Sequence, residues 1–75
     1  MRNVTNEESN KIEEIIDSVG LSNFINAVSD ICGEKADHIR SNSAAKDDIY
    51  LARMWLNCQS VLNTAQEKTI KYLGE

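Results

Sequence analysis

Apolar residues recur at spacings of three and four along most of this chain, and strand-like alternation is absent, so the pattern predicts helices from end to end. The first stripe, Ile12, Ile15, Ile16 and Val19, predicts a helix over about residues 6–18. Thr5-Asn6-Glu7-Glu8 just before it has the form of a capping box, in which hydroxyl and carboxylate satisfy free amides at a helix start. Gly20 then supplies the left-handed conformation that commonly ends a helix. A second stripe, Leu21, Phe24, Ile25, Val28, Ile31, Cys32 and Ile39, predicts a helix over about residues 21–41. Ser41-Asn42-Ser43 is the turn candidate. Ser43 would cap a third helix over about residues 44–73, with Asp47 and Asp48 near its positive end. Lys68 and Lys71 suit its last turns, and Gly74 suits its stop. So short a turn places the two long helices antiparallel.

The third helix is the most informative. Ala45, Ala52, Trp55, Leu56, Leu62, Ile70 and Leu73 cover one side of it, and Leu51, Met54, Cys58, Val61, Ala65 and Tyr72 continue round the circumference. That arc is wider than the roughly 100° needed to face one core. Helix two cannot cover all of it, and helix one offers only four large aliphatics. The pattern therefore predicts an all-α chain, a short N-terminal helix plus a long antiparallel hairpin, assembled as a homo-oligomeric bundle. Gly33, Met54, Trp55, Cys58, Val61, Leu62 and Tyr72 are the expected interface. The plainer alternative is a three-helix monomer with scattered surface hydrophobes.

Size supports association. A chain of 75 residues makes one domain, 1–75, and small domains commonly need disulfides, a metal or other copies for stability. Cys32 and Cys58 are isolated within apolar patterns, with no CxxC spacing, and read as buried free thiols rather than a disulfide. No metal site or cofactor is expected. The longest apolar runs are two or three residues and no apolar leader follows Met1-Arg2, which predicts a cytoplasmic protein without a membrane span. Twelve acids against eight bases give a net charge of -4 with no basic cluster, so a nucleic acid polymer is not an expected partner.

Several polar residues interrupt the apolar faces. Lys35 stands where Ile or Leu is expected on helix two, and it reads as an interhelical partner of Asp48, as a snorkelling stem, or as an anion-binding lysine. His38, the only histidine, sits at the border of the same face, where a half-exposed polar role is commoner than catalysis or metal binding. Gln59, Asn63 and Gln66 could make hydrogen bonds across a subunit interface or line a polar pocket. Ser22, Asn26, Ser29, Gly33 and Ala36 form a stripe of mostly small residues on another side of helix two. Such a stripe permits close approach, with helix one or a neighbouring protomer as the expected contact, or else it is an exposed polar face.

Two resemblances bear on function. Glu13-Glu14-Ile15-Ile16-Asp17 followed by Glu34-Lys35-Ala36-Asp37 resembles the spaced acidic motifs of all-α nucleotide pyrophosphohydrolases, whose carboxylates hold magnesium around a phosphate chain. Asp17 stands where that family has glutamate, and Glu14, Asp17 and Asp37 project away from the apolar faces, which counts against an enzyme. The run Asp30-Ile31-Cys32-Gly33-Glu34-Lys35-Ala36-Asp37-His38-Ile39-Arg40, followed by Asp47-Asp48, Ala52 and Trp55, resembles a pattern in small helical proteins of bacteria and their phages. That family brings no activity with it. Phage proteins of this size and build include oligomeric inhibitors of host defence that sequester cyclic nucleotide signals, an analogy of fold and size. The expectation is thus a non-enzymatic, oligomeric helical protein that binds a protein partner through an exposed helical surface. The alternative is a sponge for a small anionic ligand, held at subunit interfaces by Lys35, His38, Arg40, Asp48 and Gln59, with Arg53 on the polar side of its helix.

Overall fold

The computed structural model describes residues 1–42 and 46–74 and contains three helices, α1 (Asn6–Val19), α2 (Leu21–Asn42) and α3 (Lys46–Leu73). Ser41 and Asn42 belong to the last turn of α2, while the expected cap Ser43 and the apolar Ala45 lie outside the described residues. The first helix begins as its sequence requires. The Glu8 amide donates to Thr5 Oγ1 at 3.1 Å, and the Thr5 amide donates to Glu8 Oε1 at 3.0 Å, completing the capping box. Arg2 clasps the same carboxylate with both guanidinium ends, at 2.6 and 2.9 Å. The guanidinium foremost, then the Thr5 amide and hydroxyl, hold the Glu8 carboxyl down at about 2.

This carboxylate makes the helix start depend on pH. Its pKa is depressed on folding, so its contribution is complete above about 4.5 and is lost as pH falls toward about 2. Protection of the first-turn amides of α1, measured as the exchange rate relative to that of an unstructured chain at the same pH, is expected to fall over that window in the native chain and to be independent of pH in Glu8→Gln. Because Arg2 and Glu8 are exposed, added salt weakens the effect. Thr5→Ala removes the cap and is expected to cost about 1 kcal/mol.

One residue joins α1 to α2. Gly20 has φ 89° and ψ 152°, an extended conformation at positive φ rather than the left-handed helical one, and it is open essentially to glycine alone. Its N–H closes α1 on the Ile16 carbonyl at 2.7 Å, and its carbonyl accepts the Phe24 N–H at 3.1 Å to open α2. The Asn23 amide reaches back to the Val19 carbonyl at 2.8 Å. The joint therefore satisfies backbone groups of both helices, and α1 touches α2 without approaching α3.

The long hairpin closes on small side chains. Ser22, Ser29, Cys32 and Ala36 of α2 and Ala52 of α3 are buried, and among the described residues serines are the largest side chains fully enclosed. Ser29 donates to Asn63 Oδ1 at 2.6 Å and lies 3.3 Å from the Gln59 carbonyl. A Cβ built on Gly33 would stand 2.6 Å from Gln59 Nε2. Apart from the exposed Asn26, the stripe of small residues is thus covered by α3, which corrects the expectation of helix one or a neighbouring protomer. Ser22, Ser29 and Ala36 are seven residues apart, as are Ala52, Gln59 and Gln66, so each helix keeps one line of small or polar groups toward the other. Small side chains let the two backbones approach closely, and the large apolar side chains are left to flank that seam.

Their burial follows from this placement. Among the described residues the buried apolar set is Cys32, Ala36 and Ala52, whereas Val61 is 68% exposed, Tyr72 80%, Ile31 49% and Met54 47%. The chain exposes 6002 Å², where a compact monomer of this mass exposes roughly 4,600 Å². Its radius of gyration is 14.6 Å, against roughly 11 Å for a compact chain of this length. Among the described residues no helix is long and apolar enough to cross a membrane.

Candidate functional site

The helical period fixes where the flanking residues lie. At about 100° per residue, Phe24, Ile25, Val28, Ile31, Lys35 and Ile39 fall to one side of the α2 seam line. On α3 the same rotation from Ala52 carries Trp55, Leu62, Leu51, Cys58, Met54 and Val61 away from the seam. Antiparallel helices viewed down a common axis mirror each other's sense of rotation, so the two arcs lie on the same broad side of the hairpin. The opposite side carries Asn26, Asp30, Asp37, Arg53, Ser60, Glu67 and Lys71. Folding has gathered most of the apolar residues onto one open face.

Two grooves mark that face. One, of about 450 Å³, is lined by Ile31, Glu34, Lys35, His38 and Ile39 of α2 and by Trp55 of α3. Lys35 Nζ stands 5.5 Å from the centroid of the Trp55 ring, a cation–π contact that keeps its stem along the apolar surface. This contact stands where a Lys35–Asp48 ion pair was expected. Asp48 is half-buried in the first turn of α3. His38 is exposed beside Asn42, whose amide donates to the His38 carbonyl at 2.9 Å. The second groove, of about 420 Å³, is lined by Met54, Asn57, Cys58, Val61 and Leu62, four of them among the predicted interface residues.

The predicted residues thus divide. Met54, Cys58, Val61 and Leu62 gather on the apolar groove of α3, Tyr72 is exposed one arc further along, and Trp55 floors the other groove beside Lys35 and His38. Arg40 is exposed near the end of α2 and lines neither groove, and Gln59 sits half-buried in the seam against Gly33. The cations proposed for an anionic ligand do not converge within one chain, where Lys35 and His38 share their groove with Glu34. Cys32 is buried as expected, but Cys58 is exposed, because the seam takes the small side of α3 and turns this thiol outward; neither forms a disulfide.

No protein-family model matches the chain, and no curated protein or solved structure matches it. Residue roles therefore rest on geometry alone. The acidic positions Glu13, Glu14, Asp17, Glu34 and Asp37 are all exposed, and no group of three or more His, Cys, Asp or Glu among the described residues is placed to hold a metal ion.

Lys35 offers a discriminating substitution. Its ammonium occupies a face otherwise built from Ile31, Ile39 and Trp55, so Lys35→Met adds apolar surface and loses one cation–π contact of about 0.5–1 kcal/mol. Thermal unfolding is expected to show unchanged or higher stability.

Proposed function

We propose that this chain is a non-enzymatic interaction protein that binds another polypeptide through the open apolar face of its α2–α3 hairpin. The observation that carries the reading is the exposure of Met54, Cys58 and Val61, neighbours along one groove of α3, with Tyr72 continuing the arc. Contiguous apolar surface of this kind on a small chain marks an interaction site, whereas singly scattered residues do not. Asn57 is the one polar side chain among the residues lining that α3 groove, and the charged Glu34 and Lys35 lie in the other groove, which suits a protein–protein interface with an apolar centre and a polar rim. A second reading, a small anionic ligand held between Lys35 and His38 above Trp55, has the size of the groove in its favour.

Native mass spectrometry separates the two. The interaction reading expects assemblies whose masses are sums of polypeptides alone, weakened by Met54→Glu and indifferent to His38→Ala. A small molecule carried in stoichiometric amount and lost in Lys35→Met would contradict it.

A further inference from the structure

Resting on that reading, we infer that the occupant of the apolar face is a second copy of this chain, and that folding and association are one event. Three observations converge. The first is area. The exposed surface of 6002 Å² exceeds that of a compact monomer by roughly 1,400 Å². A stable interface needs about 800 Å² from each partner, and obligate homodimers take more. The excess over the whole chain, α1 included, is thus larger than the area a standard pairing removes from each copy.

The second is the missing interior. A chain whose largest fully enclosed side chains are serines, and whose buried apolar set among the described residues is Cys32, Ala36 and Ala52, has little hydrophobic stabilisation of its own. Relative to the extended chain, folding removes only about half of the surface, less than the about 60% of self-sufficient small domains. Pairing would supply the interior by bringing Met54, Val61 and Leu62 of one copy against the same residues of another.

The third is chemistry. The face is apolar on both helices, its α3 groove is lined by Met54, Asn57, Cys58, Val61 and Leu62 with no charged side chain, and the lysine of the other groove is folded against Trp55. A two-fold pairing uses the same patch on both chains and closes on itself, and each newly made chain meets its own kind at the highest local concentration.

The test is thermal unfolding of the full chain by circular dichroism at two concentrations a hundredfold apart, combined with peptide mapping of thiol labelling at Cys58. Coupled folding predicts a midpoint about 10 °C lower in the dilute sample. Cys58 is then expected to be labelled slowly when concentrated and faster on dilution, while Cys32 is labelled only on unfolding. A midpoint that does not move with concentration would overturn the inference. In that case a Cys58 labelled as fast as in denatured chain leaves the face open for a different polypeptide, and the proposed function stands without self-pairing. A Cys58 protected at every concentration would mean that the face is closed within one chain, and both would fall.

Discussion

Val61→Glu is expected to abolish association. Val61 is the most exposed of the large apolar residues lining the α3 groove. In a monomer with an open face this substitution places a carboxylate in water and costs nothing beyond a few tenths of a kcal/mol. In a pairing that covers the face, each copy buries a charge without a partner, a penalty of several kcal/mol per interface. A loss of about 3 kcal/mol already weakens association by more than a hundredfold. Ser60→Glu, one residue earlier on the opposite side of α3, is the control and is expected to leave association unchanged. Sedimentation velocity of the two variants at matched concentration reads the contrast directly. Equal behaviour would remove α3 from the interface.

Gly33 carries the second large expectation, because two substitutions there should differ in sign or nearly so. Alanine at this position gains about 1 kcal/mol of helix propensity. Its Cβ would meet the amide tip of Gln59 at 2.6 Å, and that tip belongs to a flexible side chain able to swing aside. Gly33→Ala is therefore expected to be neutral or slightly stabilising. Leucine cannot be accommodated by moving an amide. It must part the helices at the level where Ser29 bonds Asn63 and approaches Gln59, so overpacking of about 1–3 kcal/mol and loss of those hydrogen bonds add together. Chemical denaturation of the two variants checks the pair. A tolerated leucine would mean that α3 does not cover this stripe.

Much of the fold is legible in the residues, for local reasons. Thr5 and Glu8 specify a helix start through hydrogen bonds within four residues of chain, and Gly20 and Gly74 mark stops where φ turns positive. The width of the apolar arc on α3 likewise announces that Met54, Val61 and Tyr72 stay uncovered by α1. What the pattern hides is which face of α2 meets α3. Two stripes on α2 have helical spacing, one apolar and one small, and hydrophobicity alone favours the apolar one as the contact. The contact is the small stripe instead, and the heptad spacing of Ser22, Ser29 and Ala36 was the available signal. The position of Cys58 follows from the same choice, since a seam through Ala52 and Gln59 rotates that thiol into solvent. Lys35 was legible as an anomaly but not in its resolution, because its contact with Trp55 depends on how far the helices are rotated about the seam.

The hairpin thus closes on its small residues and leaves its large ones exposed, the surface proposed to be covered by another chain. Multi-angle light scattering of the purified full-length chain tests this most directly. The expected mass is an integer multiple of 8.4 kDa, at least twofold. A single folded species at 8.4 kDa, unchanged as concentration rises, would contradict it.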